Sequence, residues 1–102
     1  MIHELRIYTA KPGMLQVFVD AMEQEVLPLL TTHGIPVIGA WVNEEKNEFV
    51  HIREFSDEES LQKRSDTFYS SPEWNALVER VRGYLSNREI RTIKPVSFSS
   101  IH

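Results

Sequence analysis

The chain has 102 residues, no cysteine and a net charge of −4, a length that suits a single domain spanning residues 1–102. Its 41% hydrophobic and 25% charged residues are those of a folded globule, which excludes a disordered or fibrous chain. Without cysteine there is no disulfide scaffold, no cysteine nucleophile, no iron–sulfur ligation and no thiolate zinc site, and a reducing, cytoplasmic setting is expected. The acidic balance, with no dense basic stripe, argues against nucleic acid as a partner. No basic segment followed by an apolar run opens the chain. Its longest nearly uncharged stretch, Val26 to Val42, is interrupted by Pro28, His33, Gly34, Pro36 and Gly39, so no membrane insertion is expected.

Residues 2–9 alternate, with Leu5 and Ile7 on one face and Glu4, Arg6 and Tyr8 on the other, the pattern of a half-buried strand. Lys11-Pro12-Gly13 breaks it. From Met14 the apolar residues Leu15, Phe18, Met22, Val26 and Leu29 recur every three or four positions, which predicts an amphipathic helix. Pro28 is expected to kink or end that helix, because proline has no N–H to donate. Val37 to Val42 reads as a second strand, with Gly39 and Trp41 opposite Ile38, Ala40 and Val42. A polar turn at Glu44–Asn47 leads into a third strand over 48–55.

There Val50 and Ile52 share one face, and Phe49, His51, Arg53 and Phe55 the other. Ser56 to Glu59 fits a capping box with Ser56 as N-cap, starting a short helix that carries Leu61 and Phe68. Ser71-Pro72-Glu73-Trp74 starts another: a serine cap, proline in the first turn and an early acidic residue. Its apolar stripe is Trp74, Leu77, Val78, Val81 and Leu85. A last strand is expected over 88–98, with a bulge where its alternation slips between Ile90 and Ile93.

The predicted order β-α-β-β-α-α-β is that of an α+β, ferredoxin-like domain: a four-stranded antiparallel sheet covered on one face by helices, with the first and third strands at its centre. Placing Leu5, Ile7, Val50 and Ile52 against the helices leaves Tyr8, Trp41, Phe49 and Phe55 on the far face among Glu4, Arg6, His51 and Arg53. Aromatics of that size bury roughly 150–250 Å² each, more than a soluble monomer usually leaves open in one patch. A second copy of the chain is the expected cover, giving a homodimer through the sheet face.

The segments Glu4-Leu5-Arg6-Ile7-Tyr8-Thr9 with Lys11-Pro12-Gly13, Gly39-Ala40-Trp41, Val50-His51-Ile52 with Glu54-Phe55, Ser71-Pro72-Glu73-Trp74 and Ile90 together resemble the NIPSNAP family, a branch of the dimeric α/β-barrel superfamily. The likeness fades after Lys94-Pro95. It implies a ferredoxin-like fold, dimerisation through the sheet face, and little about chemistry. Eukaryotic members of the family are associated with mitochondria and organelle traffic, and small bacterial members mostly have no assigned reaction. Superfamily relatives include cofactor-free monooxygenases and haem-handling enzymes.

Six residues are candidates for a site. His51, mid-strand and near-neutral in its ordinary pKa, would serve as the proton acceptor of a reaction or as a hydrogen-bonded interior histidine. Glu4, Arg6 and Arg53 would orient an anionic small molecule, or pair with one another across the sheet. Tyr8 and Trp41 would wall a pocket or fill the dimer core. No paired ligand spacing joins His3, His33, His51 and His102, and Gly13, Gly34, Gly39 and Gly83 are isolated, so neither a metal nor a phosphate-binding cofactor is expected. Two functions remain open: a homodimer binding a small molecule in a pocket on the sheet face, with or without cofactor-independent catalysis, and a non-catalytic interaction module presenting its outer helices to partners.

Overall fold

The alternation at the start of the chain produces strand β1, Ile2–Ala10, in a computed structural model that describes residues 1–102. The helical period that follows gives α1 (Leu15–Ala21), a wider π turn (Met22–Val26) and α2 (Leu27–Thr32) in one continuous path. Pro28 does not end this path. It cannot donate to the carbonyl one turn back and its ring crowds that carbonyl. The π turn just before it, where the Leu27 N–H reaches back to the Met22 carbonyl, absorbs the misfit. The helix stops at Gly34, whose φ of +69° suits glycine, and the Ile35 N–H closes the end on the Leu30 carbonyl at 2.9 Å.

Strands β2 (Val37–Val42) and β3 (Glu48–Phe55) form a hairpin. Asn43 organises the turn by accepting the backbone N–H groups of Asn47 and Glu48 on its Oδ1, at 3.0 and 2.9 Å. Helix α3 (Glu58–Tyr69) is capped by Asp57, not by Ser56. Asp57 is the residue with extended backbone, and its carboxylate accepts the Ser60 N–H at 2.7 Å; the Ser56 hydroxyl meets the Ser60 hydroxyl instead. Helix α4 (Pro72–Gly83) starts as expected on Ser71, which accepts the Trp74 N–H.

Strand β4 covers Leu85–Ile93, earlier than the expected 88–98. Its one irregularity lies opposite Thr9 and Ala10, while the pairing from Ile90 with Arg6 to Ile93 with His3 is unbroken. Ile90 and Ile93, three positions apart, fall on opposite faces by the two-residue alternation of a strand, which the edge strand β4 tolerates because neither face demands an apolar residue; both isoleucines are exposed. No helix is long and apolar enough to cross a membrane.

The strands are antiparallel in the order β2-β3-β1-β4, with β1 and β3 central. This is the α+β, ferredoxin-like fold. The faces of β1 and β3, however, are the reverse of those expected. Ile2, Glu4, Arg6 and Tyr8 of β1, with Phe49, His51, Arg53 and Phe55 of β3, are all buried in this single chain, while Leu5, Ile7, Val50 and Ile52 are only half-buried on the opposite face. Phe49, Phe55 and Tyr8 therefore belong to the core with Phe18, Met22, Val26, Phe68 and Trp74.

The physical reason is the fit between layers. Tyr8 and Phe49 meet Phe18 of α1 edge-on, with centroids 5.8 and 5.6 Å away, and the Arg53 guanidinium lies 5.8 Å from the ring of Phe68. Large rings and long arginine stems bury more area than short aliphatic chains, and the α3 rings of Phe68 and Tyr69 accept the arginine charge. Leu5, Ile7, Val50 and Ile52 form the open face together with Trp41, which pairs with Val50 and is 54% exposed.

Candidate functional site

Five of the six candidate residues come together, and they do so between the sheet and the helices. Register alone explains the grouping: Glu4 lies opposite Arg53, and Arg6 opposite His51, across the central β1–β3 pair. Period-two alternation then puts Tyr8 on the same side. The sixth, Trp41, is on the open face and takes no part.

The Arg6 guanidinium donates from Nε to Glu4 at 2.6 Å and from Nη1 to the Tyr8 phenol oxygen at 2.7 Å. Arg53 stands 3.9 Å from the same Glu4 oxygen and donates to the Tyr69 phenol oxygen at 2.8 Å. Burial alone would lower the pKa of Arg6, but Tyr8, Tyr69 and Glu4 outweigh it and hold the guanidinium charged. Because both phenol oxygens accept from arginine, each hydroxyl keeps its own proton to donate elsewhere.

His51 is fully buried, between the rings of Tyr8 and Phe49 at 5.2 Å each. Neither ring nitrogen has a hydrogen-bond partner. Burial, then the charges of Arg53 and Arg6, push its pKa down to about 2, so the imidazole is neutral, with one N–H donor and one bare acceptor unused. A buried polar group in that state is uncommon and costly.

Three residues missed in the sequence complete the cluster. Tyr69, at the end of α3, has the guanidinium carbons of Arg6, Arg53 and Arg82 within 5.8 to 5.9 Å of its ring. Arg82, in the last turn of α4, lies 5.5 Å from the Trp74 ring; Arg88 of β4 lies 5.6 Å from the Tyr8 ring. Arg82 loses basicity through burial first and then through its neighbour Arg88. The signals were present: Arg88 is the β4 residue opposite Tyr8, and Tyr69 adjoins Phe68 in an aromatic run leading to Trp74.

A cavity of about 20 Å³, lined by Tyr8, Arg53, Tyr69, Trp74, Arg82 and Arg88 with an apolar floor from α1, the π turn and α4, has room for about one water. No three of the protein's histidine, aspartate and glutamate side chains converge as metal ligands would.

The NIPSNAP family profile matches residues 3–100. The chain belongs to the NIPSNAP family. Two crystal structures of bacterial NIPSNAP-type proteins superimpose closely. One is Atu4242 of Agrobacterium tumefaciens, a NIPSNAP family protein described as of unknown function, at 26% identity and TM-score 0.92, covering 100% of this chain and 94% of that one. The other is an uncharacterised NIPSNAP domain protein of Burkholderia xenovorans, at 23% identity and TM-score 0.90, covering 97% and 98%. An antibiotic biosynthesis monooxygenase shares the fold at 14% identity and TM-score 0.70, over 94% of this chain and 99% of that one. No curated protein matches the chain. In this NIPSNAP chain the polar cluster is buried within the single chain, beneath its own helices.

Proposed function

We propose that this NIPSNAP protein binds a small anionic molecule between its sheet and helices, and that it does so as a homodimer joined through the open sheet face. One observation carries the binding reading: Arg6, Arg53, Arg82 and Arg88 surround the interlayer space, and Glu4 is the one carboxylate paired with any of them. Arg6 and Arg53 are buried and Arg88 half-buried, and positive charge drawn out of water in this excess is stabilised by an anion. His51 adds an uncharged donor and acceptor. With its pKa near 2 it is a weak base, which argues against the proton-accepting role first expected of it. A catalytic reading draws support only from the monooxygenase neighbour, and likeness of fold carries no chemistry by itself.

The dimer rests on different residues from those first expected. Leu5, Ile7, Val50 and Ile52 with the exposed Trp41 make a continuous apolar strip across β1, β3 and β2, the kind of surface that a second copy covers. Native mass spectrometry of the purified protein tests both parts. The expected species is a dimer retaining a small anion, with the anion lost in Arg53→Gln and the dimer lost in Trp41→Glu. An empty dimer whose melting temperature is raised by no small carboxylate or phosphate at millimolar concentration would overturn the binding reading. A wild-type monomer would overturn the dimer.

A further inference from the structure

We propose, resting on the binding reading above, that the ligand is an amphipathic oxyanion: a carboxylate or phosphate head held by Arg82 and Arg88, and a compact apolar body directed inward. The cavity between the layers is lined by Arg53, Arg82 and Arg88 and by no carboxylate at all. Glu4 neutralises Arg6 and approaches Arg53, but Arg82 and Arg88 are in no ion pair. The Arg88 Nε is moreover buried without a hydrogen-bond partner.

Each of these two guanidinium groups sits over an aromatic ring, Arg82 over Trp74 and Arg88 over Tyr8. Neither guanidinium donates a hydrogen bond within the chain, where the arginine donors are Arg6, Arg53, Arg64, Arg80 and Arg91, so their N–H groups remain to fork onto an oxyanion. The wall beyond them is apolar, formed by Phe18, Met22, Val26, Val81 and Leu85, so it suits a hydrocarbon or aromatic body rather than a sugar or a second charge.

The two arginines also limit access. A cavity of about 20 Å³ is far below the roughly 300 Å³ of an ordinary ligand site, so the ligand enters only as the long side chains that line it, Arg82 and Arg88 among them, turn outward. Arg82 is exposed and Arg88 half-buried, so that motion needs side-chain rotation alone. The head that displaces them is then the group they hold, so the same two residues select for charge and open the site.

Benzoate and phenyl phosphate, with benzamide as the uncharged counterpart, test this in calorimetric titrations of the wild-type protein and of Arg82→Gln and Arg88→Gln. Loss of a charge-assisted hydrogen bond weakens binding by roughly 10- to 100-fold. The anions are therefore expected to bind about 10-fold or more tighter than benzamide, with each variant losing that preference while its affinity for benzamide is unchanged. Nε–Hε resonances of Arg82 and Arg88 should shift on adding either anion, and Arg82→Lys should restore part of the preference. A preference that survives in both variants would overturn the placing of the head on Arg82 and Arg88 and leave the anion-binding reading standing, and equal affinity for benzoate and benzamide would overturn that reading too. A retained ligand that is uncharged or cationic would do the same. Failure of every small molecule to bind would remove both.

Discussion

Arg53 in the middle of the sheet donates from Nη1 to the phenol oxygen of Tyr69 at the end of α3, at 2.8 Å. The bond crosses from one layer to the other and fixes a guanidinium that is 2% exposed. Removing the acceptor leaves a buried charged donor short of a partner, which costs about 1–3 kcal/mol. Tyr69→Phe is expected to lower the unfolding free energy by that amount in urea titrations without changing the slope. A loss near zero would show that water replaces the phenol, and would place the Arg53–Tyr69 contact outside the forces that hold α3 down.

His51 makes the stability of the fold depend on pH. The unfolded imidazole takes up a proton as pH falls through about 6.5, whereas the folded one, pushed down mainly by burial, does so only near 2. Between those values the unfolded chain holds more protons. Stability from this group is therefore complete above the unfolded pKa and is lost as pH falls towards the folded one, by up to about 1.4 kcal/mol per pH unit. Urea titrations near neutrality and at about pH 5 should show a steeper loss in the wild type than in His51→Gln; parallel losses would contradict the buried neutral imidazole. The carbon-bound ring protons of His51 should likewise hold their chemical shift across the neutral range, where an accessible histidine moves.

The start of α3 offers a local test. Asp57 accepts the Ser60 N–H and precedes Glu58 and Glu59 in the first turn, so its carboxylate both fills an orphan donor and favours the positive end of the helix. Those backbone contacts hold its pKa below the ordinary value, and the stabilisation is present at neutral pH and lost as the carboxylate protonates in acid. Asp57→Ala is expected to destabilise the protein more than Ser56→Ala, with the gap closing at low pH. Equal effects, or a larger one at Ser56, would move the cap back one residue.

Which segments become helix and strand could be read directly, because caps such as Ser71 with Pro72 and breaks such as Pro12-Gly13 act through local geometry. The pairing of Glu4 with Arg53 and Arg6 with His51 was equally accessible, since it follows once β1 and β3 are neighbours. The side of the sheet on which those pairs lie was not. In β1 and β3 both faces carry large apolar groups, aliphatic on one and aromatic on the other, and hydropathy favours Leu5, Ile7, Val50 and Ile52 for the interior. What decides the matter is complementarity with the helices: Tyr69 and Phe68 of α3 receive Arg6 and Arg53, and Phe18 of α1 receives the rings of Tyr8 and Phe49. That is a relation between distant segments, invisible in the alternation of either strand. Arg88 escaped notice for the same reason, as it has its meaning only opposite Tyr8.

Gly39 and Trp41 are on the same side of β2, two residues apart. The indole of Trp41 lies so close over Gly39 that a methyl group built there would collide with its ring carbon Cη2. The missing side chain is thus what lets a large aromatic recline along its own strand. Flattened in this way, the indole broadens the surface without adding height to it. Sheets stacked face to face stand about 10 Å apart, a gap that an upright tryptophan would prop open. Position 39 therefore works as a shim in reverse: by having nothing there, the protein sets how near any layer laid on this face can come.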